Sequence, residues 1–171
     1  MEIFKYKIDR KTMTASVMKI IVFIAIAIAL LLLYAGGFFS AWFTSLILAL
    51  MALMILSVPR YIAVNEECVE IHCVMDVTAI EIREIAAVRK VNRNQMRWIM
   101  PLFGAAGFFG YYGKFLDIKE FDAITIYASE WNNFVEIVDV YDNRTYVSCQ
   151  DSDRLIAAIT AAMKRYDEEK Q

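Results

Sequence analysis

The sequence has few of the residues that most enzyme reactions use. Its 171 residues include one histidine, His72, and three cysteines, Cys68, Cys73 and Cys149. No G-x-S-x-G, H-E-x-x-H or G-x-x-x-x-G-K-[ST] pattern occurs, so the usual signatures of a nucleophile elbow, a zinc-binding helix and a phosphate loop are absent. An odd number of thiols suits a reducing cytoplasm better than a disulfide framework. On a strand, Cys68 and His72 would share a face roughly 13 Å apart while Cys73 points the other way, whereas zinc needs its ligands at about 2.0 to 2.3 Å. The cysteines are therefore expected to be buried or half-buried apolar side chains, with no metal site and no cofactor. Asp139 lies in the apolar run FVEIVDVY; facing inward it would have a raised pKa, and facing outward it is an ordinary edge carboxylate. Nothing here points to catalysis.

Charge is also absent from a long segment. The 39 residues from Ile20 to Val58 contain no Asp, Glu, Lys, Arg or His, about twice what one bilayer crossing needs. Gly36 and Gly37 interrupt the run near its middle, beside Ser40 and Trp42, where a reversal at a headgroup boundary is expected. The pattern predicts a helical hairpin over 18–34 and 41–58, preceded by a cytoplasmic tail over 1–17. Lys5, Lys7, Arg10, Lys11 and Lys19 precede the uncharged run and Arg60 follows it. By the positive-inside rule both termini are then cytoplasmic, in an inner-membrane protein. A cleaved signal peptide is the competing reading, but its apolar core would be shorter. Within the run from Ile20 to Val58 neither span carries a charged residue or histidine, which argues against an ion or proton carrier. The small residues of AIAIA, Ala25 to Ala29, permit close helix contact within the hairpin or with a partner, which leaves a homo-oligomer open.

From Arg60 onward the composition is that of a soluble domain, with 13 basic and 18 acidic side chains. A nucleic-acid module would be basic on one face, so none is expected. Seven short runs read as strands: YIAV, CVEIHCV, VTAIEI, AAVRKV, AITIYA, FVEIVDVY and TYVSC. Turns fall at Asn65 to Glu67, Trp131 to Asn133 and Asp142-Asn143. The chain then changes to helical period, with Leu155, Ile156, Ile159, Met163 and Tyr166 on one face, Asp151 or Ser152 as cap, and Lys164 and Arg165 in the last turn. A charged tail is expected over 167–171. Seven antiparallel strands forming a barrel or sandwich over 60–166, plugged by one helix, make the pleckstrin-homology plan.

The segment FGAAGFFGYYGKF holds four of the six glycines, Gly104, Gly107, Gly110 and Gly113. It follows a basic run with Arg89, Lys90, Arg93 and Arg97, then Trp98, and its one charge is Lys114, next to its end at Phe115. Three readings fit: a bent connection built into the fold, a membrane-contacting loop, or a ligand cradle. No Ser or Thr follows Lys114, which weakens the cradle. A cationic run beside exposed aromatics would suit an anionic membrane surface. The candidate contact residues are Arg89, Lys90, Arg93, Arg97, Trp98, Phe108, Phe109, Tyr111, Tyr112 and Lys114. The alternative is that the aromatics fold back onto the domain.

Taken together, the hairpin, VPRYIAVNEECVEI, the glycine and aromatic run, ITIYASEWNNFVEI and YVSCQDSDRLIAAI resemble the membrane-anchored bacterial pleckstrin-homology-like proteins. The resemblance covers residues 60–166. Its most specific part is Gly107-x-Phe109-Gly110-Tyr111-x-Gly113-x-Phe115, supported by Tyr127-Ala128 and Asn133-x-Val135. It implies a fold and no agreed ligand, so function must come from the site. The expectation is a non-catalytic binding or adaptor module with a protein partner. The alternatives are an anionic lipid-headgroup module and a structural subunit of a membrane complex.

Overall fold

The computed structural model describes residues 2–6, 10–33, 38–56, 58–106 and 109–169. The chain forms β1 (Glu2–Lys5), α1 (Arg10–Leu33), α2 (Phe38–Leu56), β2 (Pro59–Val64), β3 (Cys68–Cys73), β4 (Val77–Glu81), β5 (Ile85–Val91), β6 (Ile99–Ala106), β7 (Tyr111–Asp117), β8 (Asp122–Ala128), β9 (Phe134–Asp139), β10 (Arg144–Ser148) and α3 (Ser152–Glu169). All seven expected strands are present. Among the described residues three more accompany them: β1 in the N-terminal tail, and β6 and β7 in the glycine and aromatic segment. No strand is expected in the tail, and α1 begins at Arg10, before the expected 18. The turn residues Tyr34 to Gly37, including Gly36 and Gly37, lie outside the described residues.

Two sheets result, β1-β2-β3-β4 and β5-β9-β10-β8-β7-β6. The all-antiparallel barrel is corrected on two points. Strands β8 and β10 pair in parallel, and the sheets stack without closing into a barrel. The second sheet still curls strongly. Its two edges, β5 and β6, are joined by residues 92–98, a link folded into turns by Gln95 N–H to Asn92 O and Met96 N–H to Arg93 O. So compact a link cannot cross five flat strand spacings of about 4.8 Å.

Strand alternation then fills two cores. Val135, Ile137 and Val147 face Ile62, Val69 and Ile71 of the first sheet and Leu155 and Ile159 of α3. The opposite face of the same strands carries Phe134 and Tyr146, which pack with Phe115, Ile124, Ile126 and Met96 inside the curl. Phe115 and Phe134 are fully buried, a contribution of about 1.5 to 3 kcal/mol each. Helix α3 lays its apolar stripe on the first core as expected, but it continues to Glu169, through most of the expected charged tail. Lys164 and Arg165 therefore sit short of its last turn.

Helices α1 and α2 pack on one another. Ser16, Ala27, Thr44 and Met51 are buried, so Ala27 is the one member of AIAIA in the seam. Most of the remaining surface is exposed and apolar, including Ile21, Ile24, Ile28, Leu32, Phe43, Leu46, Leu50 and Leu53. Among the described residues one helical segment, Thr12–Leu32, is long and apolar enough to cross a membrane; the apolar part of α2, Ala41–Leu56, is shorter.

Candidate functional site

The glycine segment pairs as a β-hairpin, β6 against β7, and Gly104 and Gly113 are there for close backbone contact. Gly104 and Gly113 are directly opposed in the ladder. Both have positive φ, 140° and 114°. A Cβ on Gly104 would come within 2.1 Å of the Tyr112 carbonyl oxygen, and one on Gly113 within 2.3 Å of the Phe103 carbonyl oxygen. A side chain at either position would force the strands apart. The fold-building reading describes these positions, whereas Gly107 and Phe108 lie outside the described residues.

The hairpin is docked on the two helices. The Phe109 N–H donates to Ser16 Oγ at 2.7 Å and Lys19 Nζ donates to the Ala106 carbonyl at 3.2 Å. The Tyr112 hydroxyl donates to the Met54 carbonyl, one of the last four carbonyls of α2, which lack an intrahelical donor. Tyr112 and Phe109 pack there with Ile20, Met54 and Val58. The β3–β4 turn completes the helix end, with Met75 N–H donating to Leu56 O and Val74 N–H to Val58 O, both at 3.1 Å. Burial raises the Tyr112 hydroxyl well above its usual pKa, so it remains a donor at neutral pH. Tyr111 turns to the other face and packs against Trp131, with ring centroids 4.4 Å apart and the planes tilted by 55°. Phe109, Tyr111 and Tyr112 therefore all contact protein.

The basic run does not form one patch. Arg89 pairs with Glu136. Lys90 reaches Asp153 at the start of α3 at 2.7 Å. Lys114 donates to Thr125 Oγ1 at 2.8 Å. Arg93, Arg97 and Trp98 are exposed in the β5–β6 link. Alternation along β5 explains the dispersal, because Arg89 and Lys90 must point to opposite faces.

Glu136 is the buried acid that sequence reasoning missed. It is 1% exposed and lies across the ladder from Arg89 on one side and Tyr146 on the other. Tyr146 donates its hydroxyl to Glu136 at 2.6 Å. Burial pushes the Glu136 carboxyl up, but the hydrogen bonds from Arg89 and Tyr146 outweigh it and hold the pKa below the ordinary value. The carboxylate forms the floor of a cleft of ≈250 Å³, rimmed by Lys90, Lys119, Glu120 and Arg144. Asp139 behaves oppositely to the inward expectation. Its slight burial is outweighed by hydrogen bonds from Asn143 and Tyr141, so its pKa is lowered, and it organises the β9–β10 turn.

On β3, Glu70 lies between Cys68 and His72. It accepts from Cys68 Sγ at 3.5 Å and contacts His72 Nε2 at 2.7 Å, while His72 stacks on Tyr61. Burial raises Cys73 and Cys149 to about 11, so both are neutral thiols at pH 7. Among the described residues no group of three metal-ligating side chains converges.

Strand β6 is an edge of its sheet. It presents Met100, Leu102 and Phe103 to solvent, with Trp98 just before it, and Phe103 is 85% exposed. An exposed apolar edge is the kind of surface that natural proteins normally cover or blunt.

A family model described as bacterial PH domain matches residues 60–163. No curated protein and no solved structure matches the chain.

Proposed function

Because the chain belongs to the bacterial PH domain family, we propose that it is a membrane-anchored, non-catalytic binding module that holds its β-domain on the cytoplasmic face for a protein partner. The observation that carries the anchor is the packing of α1 and α2. Beyond the narrow seam between them and the patch under the β6–β7 hairpin, the helices expose mostly apolar side chains, a surface suited to lipid and costly in water. The 24 residues of α1 and 19 of α2 would be about 36 and 28 Å long, against a hydrocarbon core of about 30 Å. The lysines and arginines flanking the helix pair set the orientation by the positive-inside rule.

The protein partner is supported by β6. Its free edge offers main-chain groups with apolar side chains beside them, the combination that strand addition uses. The lipid-headgroup alternative has lost Arg89, Lys90 and Lys114 to internal partners and retains Arg93 and Arg97. In cells, the full chain is expected to stay in the membrane fraction after alkaline extraction, and a photoreactive residue in place of Phe103 is expected to give protein adducts. Release by alkali overturns the anchor. Lipid adducts alone at Phe103 overturn the protein partner in favour of the lipid surface.

A further inference from the structure

We infer that the β3–β4 turn is seated in the membrane interface, with Val74, Met75 and Val77 inserted among the lipids beside the end of α2. The inference rests on the reading of α1 and α2 as spans and adds a second contact between domain and bilayer. Three observations carry it.

The turn is fixed to the end of the helix. Met75 N–H donates to the carbonyl of Leu56, the last residue of α2, and Val74 N–H to that of Val58. If α2 crosses the bilayer, the backbone of Met75 therefore lies within a hydrogen bond of the level where the crossing ends. Depth is thus set by the covalent helix and needs no separate affinity.

The composition of the turn is wrong for water. Tight turns favour Gly, Asn, Asp and Ser, yet Val74 is 43%, Met75 74% and Val77 50% exposed, with only Asp76 among them. Asp76 is directed back to the chain, its Oδ1 accepting from Val77 N–H at 2.9 Å and its carbonyl accepting from Cys73 N–H at 2.8 Å. The turn is thereby closed by its one acid while its apolar side chains point away.

The neighbouring charge suits headgroups. Pro59 pairs with Cys73 across β2 and β3, which puts Arg60, exposed, beside the same turn. An arginine at a span end extends its guanidinium to lipid phosphate while its stem stays among apolar groups. Apolar side chains with a cation beside them match the boundary, which accepts amphipathic surfaces to a depth of about 5 to 10 Å.

The test uses the full chain reconstituted in phosphatidylcholine vesicles, with a photoreactive amino acid replacing Met75, Leu50 or Phe121 in separate variants. Leu50 lies on the exposed face of α2, and Phe121, 81% exposed, lies in the turn at the opposite end of β7 from the helices. Lipid adducts at positions 75 and 50, with only background at 121, are expected. Adducts at 50 but not at 75 overturn the inference and leave the anchor standing. Equal adducts at 75 and 121 also overturn it, since the contact would then be unspecific. Absence at both 50 and 75 overturns the anchor and the inference together.

Discussion

Tyr112 and Met54 are joined by a hydrogen bond from the phenol hydroxyl to a helix-end carbonyl, 58 residues apart in the chain. The bond ties the β-domain directly to the last turn of α2. In Tyr112→Phe the ring keeps its place beside Ile20 and Val58 while the carbonyl loses its donor. A loss of about 1 to 2 kcal/mol is expected, which in a chain of this size lowers Tm by about 2 to 8 °C. Thermal unfolding followed by near-UV circular dichroism in detergent measures it, and an unchanged Tm would refute the bond's role.

Gly104 and Gly113 allow a second prediction. Gly104→Ala and Gly113→Ala each put a methyl group against backbone rather than a yielding side chain, on residues with positive φ. Each is expected to cost about 3 kcal/mol or more. Ala106→Gly, in the same strand, is expected to cost about 1 kcal/mol or less. Equal effects at the three positions would show that the close strand approach is unimportant.

How much of this could be read in advance depends on whether the signal was local. The seven strands of the sandwich and α3 follow from periodicity and caps within each segment. Strands β6 and β7 do not, because glycine and aromatic residues fit neither period, and their pairing is evident only when Gly104 meets Gly113. Strand β1 is four residues, EIFK, in a lysine-rich tail. Its strand formers are two adjacent residues, Ile3, which is exposed, and Phe4, which is buried in the main core, too few to show a period. Asp139 and Glu136 are both acids in the apolar run FVEIVDVY, but Glu136, three residues earlier, is the buried one. Its partners Arg89 and Tyr146 come from other strands, 47 and 10 residues away.

Glu136 makes stability pH-dependent. Its folded pKa is below its unfolded value, so the stabilisation is fully present above about 4.5, the ordinary value, and is lost as pH falls through the folded value. Glu136→Gln is expected to lower stability at pH 7 by about 1 to 3 kcal/mol and to flatten the acid limb. Urea titrations at pH 7 and pH 4 separate the two effects. A mutant as acid-sensitive as the parent would assign that limb to other carboxylates, among which Glu70 and Asp139 are also lowered.

The thiols report folding. Cys149 is buried and raised to about 11 by that burial, whereas Cys68 is half-buried. At pH 7.5 a soluble maleimide is expected to modify Cys68 in the native protein and Cys149 only when the domain opens. The reverse order, read by mass spectrometry of peptides, would contradict the burial of Cys149 in the core with Leu155 and Ile159 of α3. The sign also follows for alkaline pH. A thiol whose folded pKa is raised stabilises the fold below its unfolded value, 9.0, and that contribution disappears as pH rises through about 11.

Strand β1 has a mechanical consequence. It precedes the helix pair and lies antiparallel to β2, which follows it, with Glu2 opposite Val64 and Lys5 opposite Tyr61. The two helices are thus an insertion between neighbouring strands of one sheet, with both of its chain ends held in the same ladder. A domain joined to its helices by a single linker can swing freely. Here any tilt of the helix pair must shear the β1–β2 ladder or carry the whole sandwich with it, so the orientation of the β-domain is inherited from the helices.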